Sequence, residues 1–381
     1  MQLEGKLKQY TDNLRQKGLI RSRMLSQASE PRVICFDSND YLSLTNHKEV
    51  MDAYQQGYAL FPSGSGGSML LSGYHPSHKA TERAFAQWLQ VDDCLLFPSG
   101  FAANLAVTAL LGALNAHCLI DKGVHASIYD GLKLARVPFN RFLHNNMQDA
   151  ALRIAESSAP AVLVTEGIFS MSGQQASLKE LAALCSQKCM PLLVDEAHSI
   201  GVLGAQGQGA VAQAGLSQTQ VPLRIIPLGK AFAGQAAVVV GQEAWIHGLM
   251  QAARSLIYST AISPAMSYGL LKTLDIVVAA DDRRAKLQAL IQQTKACIQA
   301  SALNWIDSPT PIQQLHLGCP HLALYYAQEL INQGFSCSAI RQPTVSLKAS
   351  GLRIILNYHH QPEQIVALFQ TLACIHDHTP H

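Results

Sequence analysis

The sequence has few charged residues for its length and no run typical of a nucleic-acid-binding surface. Of 381 residues, 14% are charged, and 28 basic residues nearly balance 26 acidic ones, for a net charge of +2. No basic run is interleaved with aromatic residues, so a nucleic-acid partner is not indicated. With 48% hydrophobic residues, the chain can bury a large core in two or three domains.

The sequence also lacks paired cysteines and long apolar runs. Nine cysteines occur without a CxxC pair, and the closest are Cys185 and Cys189, which favours free thiols. Residues 1–23 are polar and basic, without the apolar centre of a signal peptide. The most apolar window, 104–120, is too short for a membrane span and predicts a helix followed by a strand. We therefore predict a cytoplasmic protein without a membrane segment and without a metal site.

Short apolar runs alternate with helical patterns from about residue 80 to residue 245. Such alternation predicts an α/β fold whose mostly parallel sheet is covered on both faces. Ligands of such sheets bind at the carboxyl ends of the strands. The candidate chemistry therefore lies in "TEG", "DEAH" and "GK", which end the apolar runs 159–167, 190–198 and 223–231.

The two ends of the chain have different patterns. Leu3, Leu7, Tyr10 and Leu14 recur at helical spacing and predict an amphipathic helix over 1–25. Residues 265–300 predict one long helix, followed by shorter strands and helices of a smaller α+β domain. The predicted domains are an N-terminal helix and arm (1–45), a large domain (46–265) and a small C-terminal domain (266–381).

One lysine, Lys230, lies in the otherwise apolar run "IIPLGKAFAGQAAVVV". It could simply end a buried strand and extend its ammonium group to water. Alternatively, its amine is kept neutral and nucleophilic to form a Schiff base. The segments that precede it decide between these readings.

Two further segments supply groups that match a Schiff-base lysine. "PSGFAAN" (98–104) opens a helix whose free N–H groups form an anion site, although many such turns bind nothing. "VDEAHS" (194–199) places Asp195 where a carboxylate can hold a protonated ring nitrogen, although a metal pair or helix cap is an alternative. A phosphate site, this acid and the lysine are what a pyridoxal 5′-phosphate enzyme needs. A dinucleotide site is excluded because "SGSGGS" is not GxGxxG.

The order "SGFAAN … HASIYDG … TEGIFSMSG … VDEAHSIGVLGAQGQG … GKAF … YST" resembles the α-oxoamine synthases. The resemblance spans about residues 15–370. It implies the pyridoxal 5′-phosphate-dependent transferase fold type I, with a mostly parallel sheet in the large domain and a smaller α+β C-terminal domain. "GSGGSMLLSGYHPSHKATE", "LIYSTAISPA" and "AIRQPTV" look most like the members that condense L-alanine with a pimeloyl thioester in biotin synthesis.

The resemblance also implies roles for individual residues. Lys230 would hold the cofactor and act as the base, Asp195 would pair with its ring nitrogen, and His125 would cover the ring. The remaining implied contacts are the phosphate (Gly100, Phe101), the phenolic oxygen and its surroundings (Ser170, His198), the neighbouring subunit's phosphate (Ser259, Thr260), the substrate (Arg21, Asn39, Arg341, Thr344) and a position near the cofactor (Glu166).

The implied partners are a second copy of the chain, L-alanine and a pimeloyl thioester carried by coenzyme A or an acyl carrier protein. A sister reaction, of glycine with acetyl-CoA or serine with a long acyl-CoA, stays open, and a non-catalytic partner subunit is less favoured because Lys230 is present. Three positions depart from the family pattern: Pro227 replaces a threonine, the loop after Lys230 is shorter, and Ser172 stands where an acid is common.

Overall fold

The computed structural model describes residues 2–23, 25, 33–157 and 160–379. They form two compact units. The first unit comprises Met1–Tyr41, Met171–Gln174 and Ala285–His381, and the second comprises Leu42–Ser170 and Gln175–Arg284. The domain limits of 1–45, 46–265 and 266–381 stay a prediction.

Helices and strands alternate through most of the chain. The helices are α1 Leu3–Gln16, α2 Lys48–Leu60, α3 Pro76–Leu89, α4 Gly100–Ala113, α5 Ala126–Leu134, α6 Met147–Glu156, α7 Leu178–Ser186, α8 Gly209–Gln213, α9 Glu243–Ala252, α10 Arg254–Ile257, α11 Pro264–Val278, α12 Asp281–Gln299, α13 Pro320–Asn332 and α14 Pro362–Asp377. The strands are β1 Ile34–Cys35, β2 Asp93–Phe97, β3 His117–Asp121, β4 Phe139–Phe142, β5 Ala161–Glu166, β6 Leu192–Asp195, β7 Leu223–Pro227, β8 Ala237–Gly241, β9 Ile312–His316, β10 Phe335–Ser336, β11 Ser338–Ile340 and β12 Gly351–Ile355.

The second unit contains a seven-stranded sheet in the order β2-β8-β7-β6-β5-β3-β4. Its strands from β3 to β7 pair in parallel, whereas β8 runs antiparallel to its neighbours β2 and β7. Every residue of β6 and β8 is buried, as their continuous apolar sequences predict. The mostly parallel sheet with crossover helices is confirmed.

The first unit contains two small sheets. The strands β11, β12 and β9 form an antiparallel sheet in that order, and β1 pairs in parallel with β10 over two residues. The helices α13 and α14 belong to the same unit as these strands. The predicted α+β pattern at the C-terminal end is therefore confirmed. Among the described residues, no helix is long and apolar enough to cross a bilayer.

Two predicted helices are wrong in extent. Helix α1 ends at Gln16, because Gly18 takes a left-handed φ of 65° and donates its N–H to the Arg15 carbonyl. Arg21 therefore lies beyond the helix, although the predicted helix over 1–25 includes it. The single long helix predicted over 265–300 is two helices, α11 and α12.

Arg284 stabilises the break between α11 and α12. Its guanidinium donates to the carbonyls of Val277 (2.8 Å) and Val278 (3.1 Å), which end α11. The same group bonds Asp281, the first residue of α12, at 2.8 Å. An arginine side chain thus satisfies helix-end carbonyls that a continuous helix would have satisfied internally.

Candidate active site

Two carboxyl groups lie side by side at the carboxyl ends of neighbouring strands. Glu166 ends β5, Asp195 ends β6, and the two residues are register partners. Both are almost completely buried, with exposures of 2% and 3%. Lys230, which is half-buried, follows three residues after β7 ends at Pro227. The three sequence segments chosen for their position therefore meet at one edge of the sheet.

The carboxylate of Asp195 is held by two neutral donors. Asn104 Nδ2 donates to Asp195 Oδ2 at 2.8 Å, and the Ala197 backbone N–H donates to Oδ1 at 2.9 Å. These bonds fix the orientation of the carboxylate. A buried carboxylate bound this way is suited to pair with a cationic ring nitrogen.

The second carboxyl group, Glu166, has an unusual proton affinity. Burial raises its pKa well above the usual value, and the neighbouring Asp195 carboxylate raises it further, while the Lys230 ammonium lowers it. The Ser170 backbone N–H donates to Glu166 Oε2 at 3.2 Å. Glu166 therefore holds a proton more readily than an ordinary glutamate.

His125 is the N-cap of α5, where its ring Nδ1 accepts the backbone N–H of Ser127 at 3.3 Å. Burial of the ring lowers its pKa. Of the nearby charges, Asp195 and Asp130 raise the pKa and Lys230 lowers it. These mutual effects show that His125, Asp195 and Lys230 lie within electrostatic reach of one another.

The N-terminus of α4 forms a small cradle against the end of β7. Ser99 caps the helix by accepting the N–H of Ala102, whereas the first N–H groups of a helix, here those of Gly100 and Phe101, have no intrahelical partner. A Cβ on Gly100 would lie 2.5 Å from Cγ of the Pro227 ring. Only glycine therefore fits at this position beside Pro227.

The loop that carries Lys230 is a closed hairpin between β7 and β8. The Leu228 N–H donates to the Ala236 carbonyl at 2.9 Å, and the Gly234 N–H donates to the Leu228 carbonyl at 3.0 Å. Phe232, which is fully buried, packs its ring 5.5 Å from that of Phe85. The short loop that departs from the family pattern is thus anchored at both ends and in the middle.

Two further candidates, Ser170 and His198, lie on the turns that follow β5 and β6. Ser170 and His198 are buried, at 8% and 5% exposure. His198 belongs to the turn that begins after Asp195, the last residue of β6. The structure therefore places both in the second unit, beyond the strand ends that carry the two carboxyl groups.

The "YST" segment, which holds Ser259 and Thr260, packs on the Gly-rich segment 63–73. Just after it, the Ala261 N–H donates to the Gly67 carbonyl at 2.9 Å, and the Ser65 hydroxyl donates to the Ala261 carbonyl at 2.9 Å. Large apolar side chains on these segments and next to them are exposed, namely Leu70 (40%), Leu71 (86%), Tyr74 (45%) and Tyr258 (71%).

The first unit brings together three of its four candidate residues. Arg21 Nη2 donates to Thr344 Oγ1 at 3.3 Å, and Arg341 Nη1 donates to the Gly18 carbonyl at 2.7 Å. Burial lowers the pKa of Arg341, and the like charge of Arg21 adds to this effect. The fourth candidate, Asn39, has other partners, and its Oδ1 accepts from Arg353 Nη2 at 2.9 Å.

A buried ion pair, Glu196 with Arg224, was missed in the sequence. Arg224 Nη2 lies 2.8 Å from Glu196 Oε1, and the two side chains are 4% and 0% exposed. The Glu196 carboxylate also accepts the N–H groups of Ala210 (2.8 Å) and Val211 (3.1 Å). These bonds connect Glu196, the residue after Asp195, to helix α8. The sequence signal that could have indicated this ion pair was an arginine inside the apolar run "LRIIP".

Most of the chain matches the family described as aminotransferase class I and II, whose model aligns with residues 31–372. The chain belongs to this family. A protein of Thioalkalivibrio sulfidiphilus named 8-amino-7-oxononanoate synthase is 37% identical over 376 residues, which cover 96% of both chains. A Pseudomonas putida protein with the same name is 40% identical over 343 residues, 90% of this chain and 88% of that relative.

Solved structures agree with this family membership. The 8-amino-7-oxononanoate synthase of Francisella tularensis is 30% identical with a TM-score of 0.80, covering 91% of this chain and 98% of that one. Serine palmitoyltransferase of Sphingomonas wittichii has a TM-score of 0.88 at 24% identity, covering 99% of this chain and 98% of that one, and this likeness shows the shared fold. The predicted fold type and the resemblance are therefore confirmed.

The class I and II aminotransferases and these relatives are pyridoxal 5′-phosphate-dependent enzymes, so the predicted cofactor is confirmed. The residues present fit that cofactor. The fit rests on an amine beside two buried carboxyl groups, on an Asp195 carboxylate oriented by neutral donors, and on a helix start at which a Cβ on Gly100 would collide with Pro227.

Proposed function

We propose that this enzyme condenses L-alanine with a pimeloyl thioester and decarboxylates the product, which gives 8-amino-7-oxononanoate, carbon dioxide and the free thiol carrier. The observation that carries the proposal is the convergence of Lys230, Asp195 and His125 in a chain 37% identical to a synthase of that name over 96% of its length. The thiol carrier is coenzyme A or an acyl carrier protein.

The second unit supplies the residues that hold the cofactor. We assign the covalent attachment to the Lys230 amine, the proton at the ring nitrogen to Asp195, and the phosphate to the backbone N–H groups of Gly100 and Phe101. Ser170 and His198 are assigned to the phenolic oxygen and its surroundings. When bound, the cofactor supplies an electron sink for the pair released at the amino acid Cα.

Proton transfer and charge stabilisation are assigned to the protein side chains. Lys230, once its amine is released, takes the proton from the amino acid Cα and later returns one to the product. His125, kept neutral by its lowered pKa, donates a hydrogen bond to oxygen as negative charge develops there. Glu166, whose pKa is raised, supplies a neutral carboxyl group close to Lys230 and Asp195.

The first unit supplies cationic groups for a carboxylate substrate. Arg341 is assigned to the amino acid carboxylate, with Arg21 and Thr344 beside it, because guanidinium groups bind carboxylates in a bidentate manner. Two guanidinium groups of like charge held near each other favour an anion between them. Asn39 is assigned to the lining of the substrate site.

A homodimer with shared active sites belongs to the same proposal. The Gly-rich segment, Tyr74 next to it and the "YST" segment expose four large apolar side chains, which a subunit contact would cover. We assign these segments to the subunit interface, with Ser259 and Thr260 reaching the neighbouring cofactor phosphate. Sedimentation of Leu71→Asp should show weakened dimers, and an active wild-type monomer would contradict this assignment.

The first experiment is the visible spectrum of the purified protein, followed by a product assay with several donors. L-alanine should shift the cofactor band, and pimeloyl-CoA with alanine should yield 8-amino-7-oxononanoate. Lys230→Ala should abolish turnover. The matched control is Lys122→Ala, which removes an exposed lysine just after β3, and it should leave turnover unchanged. A response to glycine or serine instead of alanine would move the enzyme to a sister reaction.

A further inference from the structure

A chain of four hydrogen-bonded side chains runs from Asp195 through Asn104 and Ser127 to His125 inside the second unit. Asn104 Nδ2 donates to Asp195 Oδ2 at 2.8 Å and to Ser127 Oγ at 3.0 Å, and Ser127 Oγ lies 2.8 Å from His125 Nδ1. An amide NH2 group has two hydrogens, so both bonds of Asn104 can exist together. Asn104 and Ser127 are 3% and 0% exposed.

The direction of each hydrogen bond in this chain follows from the donors. The Ser127 backbone N–H points at His125 Nδ1 at 3.3 Å, and a backbone N–H can only donate. Nδ1 therefore presents its lone pair, and the proton of the neutral ring is on Nε2. Because Ser127 Oγ accepts from Asn104, its own hydrogen is available to His125 Nδ1.

We propose that Asn104 and Ser127 are positioning residues that hold the Asp195 carboxylate and the Nε2–H form of His125 in one hydrogen-bonded chain. This role deepens the proposed function and rests on it, because Asp195 and His125 are the residues assigned to the ring nitrogen and to developing charge. A neutral imidazole with its proton fixed on Nε2 is a hydrogen-bond donor that keeps one orientation throughout the reaction.

The charges around His125 set the direction of the expected effect. Burial of the ring lowers its pKa first, Asp195 and Asp130 raise it, and Lys230 lowers it. The Ser127 hydroxyl donates to the neutral ring, so its bond lowers the pKa further. Loss of one hydrogen bond should therefore raise the His125 pKa by about 0.4–1 unit.

The test is a pH titration of the full-length protein, isolated with its cofactor and labelled with 15N in the histidine rings. The His125 signal is assigned by its loss in His125→Gln. Ser127→Ala should raise the His125 pKa by about 0.4–1 unit. Asn104→Leu should raise it as well, because without the amide donor the Ser127 hydroxyl is no longer oriented toward His125 Nδ1.

The matched control is Ser267→Ala, which removes an equally buried hydroxyl from the same unit. Ser267 Oγ donates to the Ser77 carbonyl at 3.1 Å and lies 2.9 Å from Thr81 Oγ1. This variant should leave the His125 pKa unchanged. The acidic limb of the pH–rate profile should move with the His125 pKa in Ser127→Ala and stay in place in Ser267→Ala.

Two results would overturn the proposal: an unchanged His125 pKa in both Ser127→Ala and Asn104→Leu, or a wild-type ring protonated on Nδ1. Neither measurement depends on which amino acid or thioester the enzyme uses. If the assigned substrates are wrong, the pKa shift still occurs. If the assigned reaction is right and the pKa does not move, the positioning role alone fails.

Discussion

The buried ion pair of Glu196 and Arg224 allows a quantitative prediction of stability. Glu196→Gln removes the negative charge and leaves the Arg224 guanidinium, 4% exposed, without its counter-charge. Breaking such a pair from one side costs about 3–5 kcal/mol. The unfolding entropy is about 2.1 cal/mol/K per residue. For a chain of 381 residues, this loss of free energy of unfolding corresponds to a fall in Tm of roughly 4–6 °C.

The assay is a thermal melt of the cofactor-bound enzyme. Arg224→Met should lower Tm as well, because it leaves the carboxylate buried without its cation. The double variant should be more stable than the sum of the two single losses predicts. As a control, Asp52→Asn breaks the exposed pair with Lys48 and should hardly change Tm. A change under about 1 °C in Glu196→Gln, or strictly additive losses, would refute the reasoning.

Two further predictions concern cofactor binding and pH. Pro227→Thr restores the threonine hydroxyl that is usual in the α-oxoamine synthases. One hydrogen bond to the charged phosphate should tighten cofactor binding by about 10- to 150-fold. An unchanged Kd in equilibrium dialysis would show that this hydroxyl is not needed. Burial raises the pKa of Glu82 to about 7, so the folded state holds this proton after the unfolded chain has released it near 4.5. The contribution of Glu82 to stability should fall by about 1.4 kcal/mol per pH unit from 4.5 to 7, and chemical melts of Glu82→Gln should show a slope that is smaller by this amount.

The strands could be predicted from the sequence because their apolar runs are continuous and sharply bounded. β5, β6 and β7 lie inside the predicted runs, and the polar residues that end them meet as expected. Helix ends were less predictable, since they depend on contacts that no periodic pattern records. The break between α11 and α12 depends on one arginine, Arg284, whose guanidinium reaches carbonyls before it in the chain.

The site was predictable where its residues follow strands and unpredictable where they lie on helices. Lys230 and Asp195 follow buried strands, so their position alone indicated chemistry. Asn104 and Ser127 lie in α4 and α5, 23 residues apart, and their bond depends on how these helices pack against each other. Both residues lie in motifs that carry the family resemblance, "SGFAAN" and "HASIYDG", but neither motif indicated their bond to each other. Asn104 was visible only as an amide in an apolar helix, which is also compatible with an ordinary buried polar group.

The antiparallel strand β8 has a consequence for the newly made chain. β2 is an edge strand whose sheet neighbour is β8, and about 140 residues separate the two in sequence. At ribosomal rates of about 5–20 residues per second, roughly 7–30 s pass between the synthesis of the apolar strand β2, "DCLLF", and the synthesis of β8. During that interval its edge is open to other chains, so chaperones should engage nascent chains of this enzyme that end before residue 241.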